Sequence, residues 1–488
     1  MVDQQQRWQR LRLPALGVMF VSGIYKFLKD NLYLVAGAGF GVAFLDRFGL
    51  TELLGLFVLG VLGFGLYALA SYWRFRFTYN EDHIRLRQGL LHQTEVRVAF
   101  ERVQSVEVVK PFYFRPFGLV VLSLQTPGQA KPEVVLAGIS QVLASRLRGL
   151  MGHDVEASGA HPPLIAVPPG RLFKAGLSSQ LVWVVGGGLA YLGGQALERL
   201  NKAVEQGHWL DGLSESVLAS PAVMVGVVVA LILLVFISTG LYTLLVHWGS
   251  CLWVHPEKLI NQRGALSTRL IELQRSKITG LLVTQSPLGR LFGVWTAMIH
   301  QTSSEDVLSE GRGQETFRLL GLVPSEIASL AQPILKAHWP SQFNSISPRY
   351  RRLWRSRWLV CLVCLGAALW VFDGLVSPSG DYWPWAAALL LGVLAVWMWF
   401  LVAIRYQRWG WRLEKNHLWV RSGLLGTRIQ GVELGRIQQI RVIRSPYQIR
   451  HDLSSLVLVL PQGEINLPFL PLDQAQKLAN TVAWLIER

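Results

Sequence analysis

Cysteine is scarce in this chain, with three in 488 residues. So low a count excludes a disulfide framework. Cys361 and Cys364 carry the spacing of a redox or zinc pair. They sit inside the apolar run W-L-V-C-L-V-C-L-G, however, and read as small helix residues. Catalytic signatures are missing too: there is no G-x-S-x-G elbow, no Walker loop and no H-E-x-x-H. No catalytic residue and no enzyme activity is expected. His153, Asp154 and His161 share one segment, but their spacing fits no structural zinc site, so no metal and no cofactor is expected. Acidic residues are few, 31 against 47 Lys and Arg, for a net charge of +16. The cations form no single stripe, which argues against nucleic acid as a partner. Many flank apolar segments instead.

What the chain has in abundance is apolar sequence, with 51% hydrophobic residues and 19 tryptophans. A spanning helix needs about 20 apolar residues. Six candidate spans occur in three pairs: Asn31 to Leu45 with Leu53 to Trp73, Ala175 to Leu197 with Ala222 to Val246, and Trp358 to Phe372 with Tyr382 to Ile404. The short members can recruit flanking residues by snorkelling. The connections inside the pairs are acidic, with Asp46, Glu52, Glu198, Glu205, Asp211, Glu215, Asp373 and Asp381. The outer flanks are basic, for example Arg349, Arg351, Arg352, Arg355 and Arg357 before the third pair and Arg405, Arg408 and Arg412 after it. The positive-inside rule then puts both termini and the segments after each pair in the cytoplasm. No cleavable leader is read at the N-terminus. Pro14 to Leu28 is apolar but holds Lys26, and reads as an amphipathic helix on the membrane face.

A motif follows each pair and aligns three times without gaps. It runs from Arg87 to Val106, from Gln262 to Leu281 and from Arg421 to Ile440. Gly89, Gly264 and Gly423 each precede a basic residue (Arg102, Lys277, Arg436) by 13 positions, and Val103, Ile278 or Ile437 comes next. One hairpin-plus-domain unit was used three times. The glycines suit turns that need positive φ. Around them lie period-2 runs such as F-T-Y-N-E-D-H-I-R-L-R-Q-G, with a turn at Asn80 to Asp82. Each copy closes with a helix, for which Ser140, Ser325 and Asp473 are candidate N-caps. Strands followed by one helix imply a small, bent antiparallel sheet plugged by that helix.

On these residues, with Ser286-Pro287-Leu288-Gly289-Arg290-Leu291-Phe292-Gly293 in the second copy and Ser445-Pro446 in the third, the chain resembles the bacterial membrane-flanked pleckstrin-homology-like (PH-like) proteins. The likeness is to the long, YdbT-like members of the YdbS/YdbT-like group. The resemblance implies membrane α-helical hairpins plus three α+β domains, each a seven-stranded PH-like β-barrel capped by a C-terminal helix. It places an N-terminal amphipathic segment and hairpin in 1–73, PH-like domains in 74–151, 247–337 and 405–488, hairpins in 175–246 and 358–404, and linkers in 152–174 and 338–357. It also implies a smaller membrane-flanked PH-like companion protein and a link to resistance against envelope-directed antimicrobial peptides.

Candidate contacts with lipid or a partner are Arg102, Lys277 and Arg436, which suit lipid phosphate or a salt bridge beside Glu101 or Glu433. Arg115 and Arg290 lie in the aromatic loops F-Y-F-R-P-F-G and L-G-R-L-F-G, which suit a bilayer interface or a turn packed on its domain. In the third copy their place is Ile449, with Arg450 one later, and the glycine matching Gly118 and Gly293 is Asp452. The expected function is a non-enzymatic, multi-pass scaffold of the bacterial inner membrane that meets membrane lipids and a companion. The alternative is a conduit for a lipid or amphipathic peptide, for which Gly186 to Gly194 would let helices approach closely.

Overall fold

The apolar runs fold as long helices and the alternating runs as antiparallel sheets in the computed structural model of the protein. It describes residues 8–17, 50–89, 93–126, 133–152, 162–179, 221–301, 317–376, 383–461 and 463–486, with isolated positions at 20, 182, 186–188 and 194. The expected span at 31–45 and most of that at 175–197 lie outside the described residues. Two compact units organise the chain. One is Met1–Ala166 with Cys251–Lys277; the other is Val167–Ser250 with Ile278–Gly311 and Glu315–Arg488.

In the first unit α1 (Leu50–Arg74) leads into the meander β1 (Arg76–Tyr79), β2 (His83–Gln88) and β3 (Thr94–Ala99). A 3-10 turn over Phe100–Arg102 redirects the chain into a second meander, β4 (Ser105–Lys110), β5 (Leu119–Gln125) and β6 (Val134–Ser140). Then comes α2 (Gln141–Leu150). Ser140 caps it as expected, its Oγ accepting from the Leu143 N–H at 3.2 Å. Alternation sends one side of each strand inward. Phe77, Ile84, Leu86 and Val98 share a core with Val106, Leu122, Leu124 and Leu136, and Leu147 of α2 joins them. Each such side chain gains about 1.5–3 kcal/mol on burial. The N-terminal segment is helical at 14–17 and reaches this core. Leu11 and Ala15 are buried in this core, and the Tyr72 hydroxyl donates to the Leu11 carbonyl at 2.8 Å.

The same unit holds the first strands of the second repeat: β7 (Ile165–Ala166), β8 (Cys251–Val254), β9 (Lys258–Arg263) and β10 (Thr268–Gln274). They extend the sheet of the first repeat, in the order β6-β5-β4-β10-β9-β8-β7.

The second unit opens with α3 (Pro169–Leu177) packed on α4 (Pro221–His247). Small residues allow the approach, since a Cβ on Gly176 would lie 2.7 Å from Thr243 and one on Gly240 2.5 Å from Phe173. Next come β11 (Ile278–Gln285), the short α5 (Pro287–Leu291), β12 (Trp295–Gln301), β13 (Phe317–Leu322) and α6 (Pro324–Leu335). Pro324 opens α6, so Ser325 lies inside its first turn rather than at the cap, and the Val323 N–H is taken by Glu326 Oε2 at 3.1 Å. β14 (Asn344–Ser345), α7 (Arg349–Val376), α8 (Trp383–Arg408), β15 (Gly410–Glu414), β16 (His417–Ser422) and β17 (Thr427–Glu433) follow. The chain ends with β18 (Gln439–Ile443), the one-turn α9 (Pro446–Ile449), β19 (Leu453–Leu460), β20 (Gly463–Pro471) and α10 (Leu472–Ile486). Asp473 sits in the first turn of α10, where its charge suits the helix dipole. Leu418, Val432, Leu456, Leu467, Leu478 and Val482 form the core of the third repeat.

Three PH-like β-barrels, each capped by a helix, were expected; three repeats of strands and a closing helix are present, and the sheets add how the repeats are joined. The middle and last repeats do own seven strands each, because a short strand before the hairpin (β7, β14) pairs with the first strand after it (β8, β15). In the first repeat a bridge between Gln9 and Phe77 does the same. Among the described residues the strands of one repeat do not all pair with each other, though. β4 pairs with β10 of the next repeat, and β11 pairs with β17 of the one after, giving a second sheet ordered β13-β12-β11-β17-β16-β15-β14.

By length and composition, Val228–His247 in α4 and Ala388–Arg408 in α8 are able to cross a membrane. Their apolar side chains face outward, with Leu389 71% and Phe400 62% exposed.

Candidate functional site

The repeated basic residue has a fixed local role. Arg102, Lys277 and Arg436 each end a 3-10 turn, and the residue that follows plunges inward: Val103, Ile278 and Ile437 are all buried. Gly89, Gly264 and Gly423 adopt the positive φ their turns require, at 113°, 107° and 143°. Arg436 stands 3.6 Å from Glu433, the salt-bridge arrangement. Arg102 is exposed and Lys277 half-buried, and each serves the corner of its own repeat.

Arg115 and Arg290 part company. Arg115 Nη2 donates to the Ala265 carbonyl and to Thr268 Oγ1, both at 3.0 Å, and so clamps the β9–β10 turn of the next repeat. The aligned Arg290 side chain makes no hydrogen bond or ion pair among the described residues. The matching β16–β17 turn is taken by Arg408, whose Nη1 donates to the carbonyls of Leu425 and Gly426. Arg290 lies close enough for its charge to act on Arg408. In the third copy Asp452 keeps the left-handed conformation (φ 51°) of Gly118 and Gly293, while the clamping arginine is lost.

A further lock sits at the first joint. Arg148 of α2 is paired in a buried ion pair with Glu272 of β10. At the second joint the corresponding residues are Ala331 and Gly431, and the Trp419 ring takes the space, since a Cβ on Gly431 would lie 2.4 Å from it.

The arrangement best suited to binding was not singled out from the sequence. At the basic ends of α7 and α8, arginines of one helix cover aromatic rings of the other. Arg355 lies 3.5 Å from the Trp399 ring centroid, Arg351 5.4 Å from Tyr406 and Arg405 5.4 Å from Trp354, which Arg357 also approaches at 5.7 Å. Ring quadrupoles attract such cations by about 0.5–1 kcal/mol at exposed sites. No Asp or Glu occurs in residues 349–372 or 383–409, and the Arg355 Nε is buried without a hydrogen-bond partner. The rings orient the guanidinium groups but leave their charge uncompensated. Such a collar can take phosphate or another oxyanion, with arginine forks matching its oxygens. The signal that was available was the spacing R-Y-R-R-L-W-R-S-R-W against W-M-W-F-L-V-A-I-R-Y-Q-R-W.

The family model of the bacterial PH domain matches residues 32–155, 214–323 and 360–485. The chain belongs to the bacterial PH domain family. Each match takes in long apolar helix as well as strands, so the bacterial PH domain here includes its helices. No curated protein and no solved structure matches the chain. Three bacterial PH domains in one chain fit a scaffold or interaction role.

Proposed function

We propose that this protein is a non-enzymatic, multi-pass scaffold of the bacterial inner membrane, and that its third hairpin reads anionic lipid headgroups through the Arg351, Arg355, Arg357 and Arg405 collar. The observation that carries the reading is that, among the described residues, no carboxylate pairs with these stacked arginines at the end of an outward-facing apolar helix. Anionic headgroups supply the missing charge at that depth. The basic flanks support a cytoplasmic placement of both termini and of the PH-like repeats. Protein contacts, including those with a smaller PH-like companion in envelope defence, then fall to the repeats. The conduit reading rested on close helix approach at Gly186 to Gly194, and the described glycines of that run add no support: a Cβ on Gly186 would meet Val235 at an ordinary 3.8 Å, and one on Gly187, Gly188 or Gly194 would meet none of the described residues within 4 Å.

The test is native mass spectrometry of protein reconstituted in mixed phosphatidylglycerol and phosphatidylcholine. It compares the native chain with an Arg351→Gln, Arg355→Gln, Arg405→Gln variant. Each basic residue at an anionic leaflet contributes about 1 kcal/mol, so the variant is expected to retain phosphatidylglycerol on the order of 100-fold less well. An Arg102→Gln control is expected to behave as native. Equal retention by collar variant and native chain would reject the collar as the lipid site.

A further inference from the structure

Both internal joints use the same pair of strands in the same register. At the first, Lys110 of β4 faces Thr268 of β10 and Ser105 faces Leu273. At the second, Gln285 of β11 faces Thr427 of β17 and Gly280 faces Val432. The partners at the second joint are displaced by 175 and 159 positions, the offsets that separate Gly89, Gly264 and Gly423. One pairing rule therefore governs the repeat: the strand after the 3-10 turn takes the strand before the 3-10 turn of the following repeat.

Applied to the described residues, the rule leaves two half-joints. β3 corresponds to β10 and β17, yet among the described residues it pairs with β2 alone. β18 corresponds to β4 and β11, yet it pairs with β19 alone. The remaining edges, β6, β13 and β20 on one side and β7, β14 and the Gln9 bridge to β1 on the other, recur in every repeat and belong to the repeat itself. Burial marks the difference. A valine occupies one aligned position in all three copies. Val108, in the core of the first repeat, is 6% and Val283 0% exposed, whereas Val442 is 43% exposed. Its neighbour Ile443 is 49% exposed. β18 carries neither proline nor lysine to discourage pairing, and an apolar strand edge of this kind is a template for another strand.

We propose that β18 of one copy pairs with β3 of a second copy of this chain, extending the internal joint into a head-to-tail, heterologous assembly. A second copy is the occupant because both halves of the joint are carried on one chain and are complementary by the rule that forms the two internal joints. The inferred register sets Arg444 against Gln93, Val442 against Glu95 and Ile440 against Arg97. This joint lacks the clamping arginine, whose place is Ile449, and it has no Arg148–Glu272 lock. It is therefore weaker than the internal joints and depends on protein concentration. It makes no use of the lipid reading.

Directly opposed strand residues lie within disulfide reach, which gives the test. In full-length protein carrying Cys251→Ser, Cys361→Ser and Cys364→Ser, one preparation carries Val442→Cys and another Glu95→Cys. Oxidation of the mixture is expected to give a cross-linked dimer in several-fold higher yield than either preparation alone. The double variant is expected to give a ladder of multimers. A control with Val108→Cys and Leu270→Cys, opposed at the first joint, is expected to close within one chain and shows that the joint has folded. With that control closed, a mixture yield no higher than the single variants overturns the proposal. So does a double variant that closes only within its own chain, and so does cross-linking of Val442→Cys to a different PH-like protein in preference to a second copy.

Discussion

Removing one partner of the Arg148–Glu272 pair is the most informative single perturbation of the first joint. Both side chains are almost wholly enclosed, at 8% and 0% exposure, and burial pulls the Arg148 guanidinium pKa below the ordinary arginine range. Arg148→Met keeps the volume of the stem but leaves the Glu272 carboxylate enclosed without its counter-charge. Breaking a buried pair in this way costs about 3–5 kcal/mol, while replacing both partners by apolar groups is often neutral or stabilising. The double variant Arg148→Met, Glu272→Leu is therefore expected to recover most of the loss. Local opening free energy is read by amide hydrogen exchange across β10. A loss of about 3 kcal/mol accelerates exchange of the residue 268–274 amides on the order of 100-fold. The exposed Arg87–Glu95 pair serves as a comparison, and breaking it is expected to change exchange of β2 and β3 by less than about 1 kcal/mol. Equal acceleration in the single and double variants, or none in the single, would refute the reasoning.

Other outcomes follow from the same geometry. His300 of β12 is buried beside Arg428, and burial pushes its pKa down to about 4. The folded state then binds its proton less readily than the unfolded state. Stability is full above the ordinary histidine range and falls as pH drops from about 6.5 towards 4, by about 3 kcal/mol in all. His300→Gln is expected to flatten that part of the thermal-midpoint profile, and an unchanged slope would show that other groups set it. Arg115→Ala removes two hydrogen bonds across the first joint and is expected to raise exchange in the β9–β10 turn by about 1 kcal/mol. Arg102→Ala, at an exposed corner, is expected to stay within about 0.5 kcal/mol of native in thermal midpoint. Gly240→Val places a branched side chain against Phe173, and is expected to lower the thermal midpoint and expose α3 to limited proteolysis.

Local patterns carried much of this architecture. The gapless repeat, the turn glycines, the Ser140 cap and the order of strands and helix are properties of neighbouring residues, and period and turn chemistry expose them. Strand pairing between repeats is not of that kind. β3, β10 and β17 alternate alike, so nothing in T-E-V-R-V-A or T-R-L-I-E-L-Q marks which edge each one meets. Glu272 reads as an outward residue of an alternating strand until Arg148 of another repeat is seen above it. Arg115 sits in an aromatic loop that suits a bilayer, and only the fold reveals that its guanidinium spans to the next repeat's turn. The collar arginines were read as orientation charges because their rings lie on a helix about 45 residues away in the chain, as Arg355 and Trp399 do.

The depth of α8 in a bilayer tests the account most directly. Single spin labels at Leu389, Val396 and Gln407, in protein lacking the native cysteines and reconstituted in phosphatidylglycerol-containing nanodiscs, report contact with oxygen and with a water-soluble nickel chelate. A spanning α8 gives oxygen-dominated relaxation at 389 and 396 and chelate-dominated relaxation at 407, the residue after the collar ring Tyr406 at headgroup level. Chelate access at 389 and 396 equal to that at 407 would contradict a membrane-spanning helix and, with it, a collar that reads headgroups.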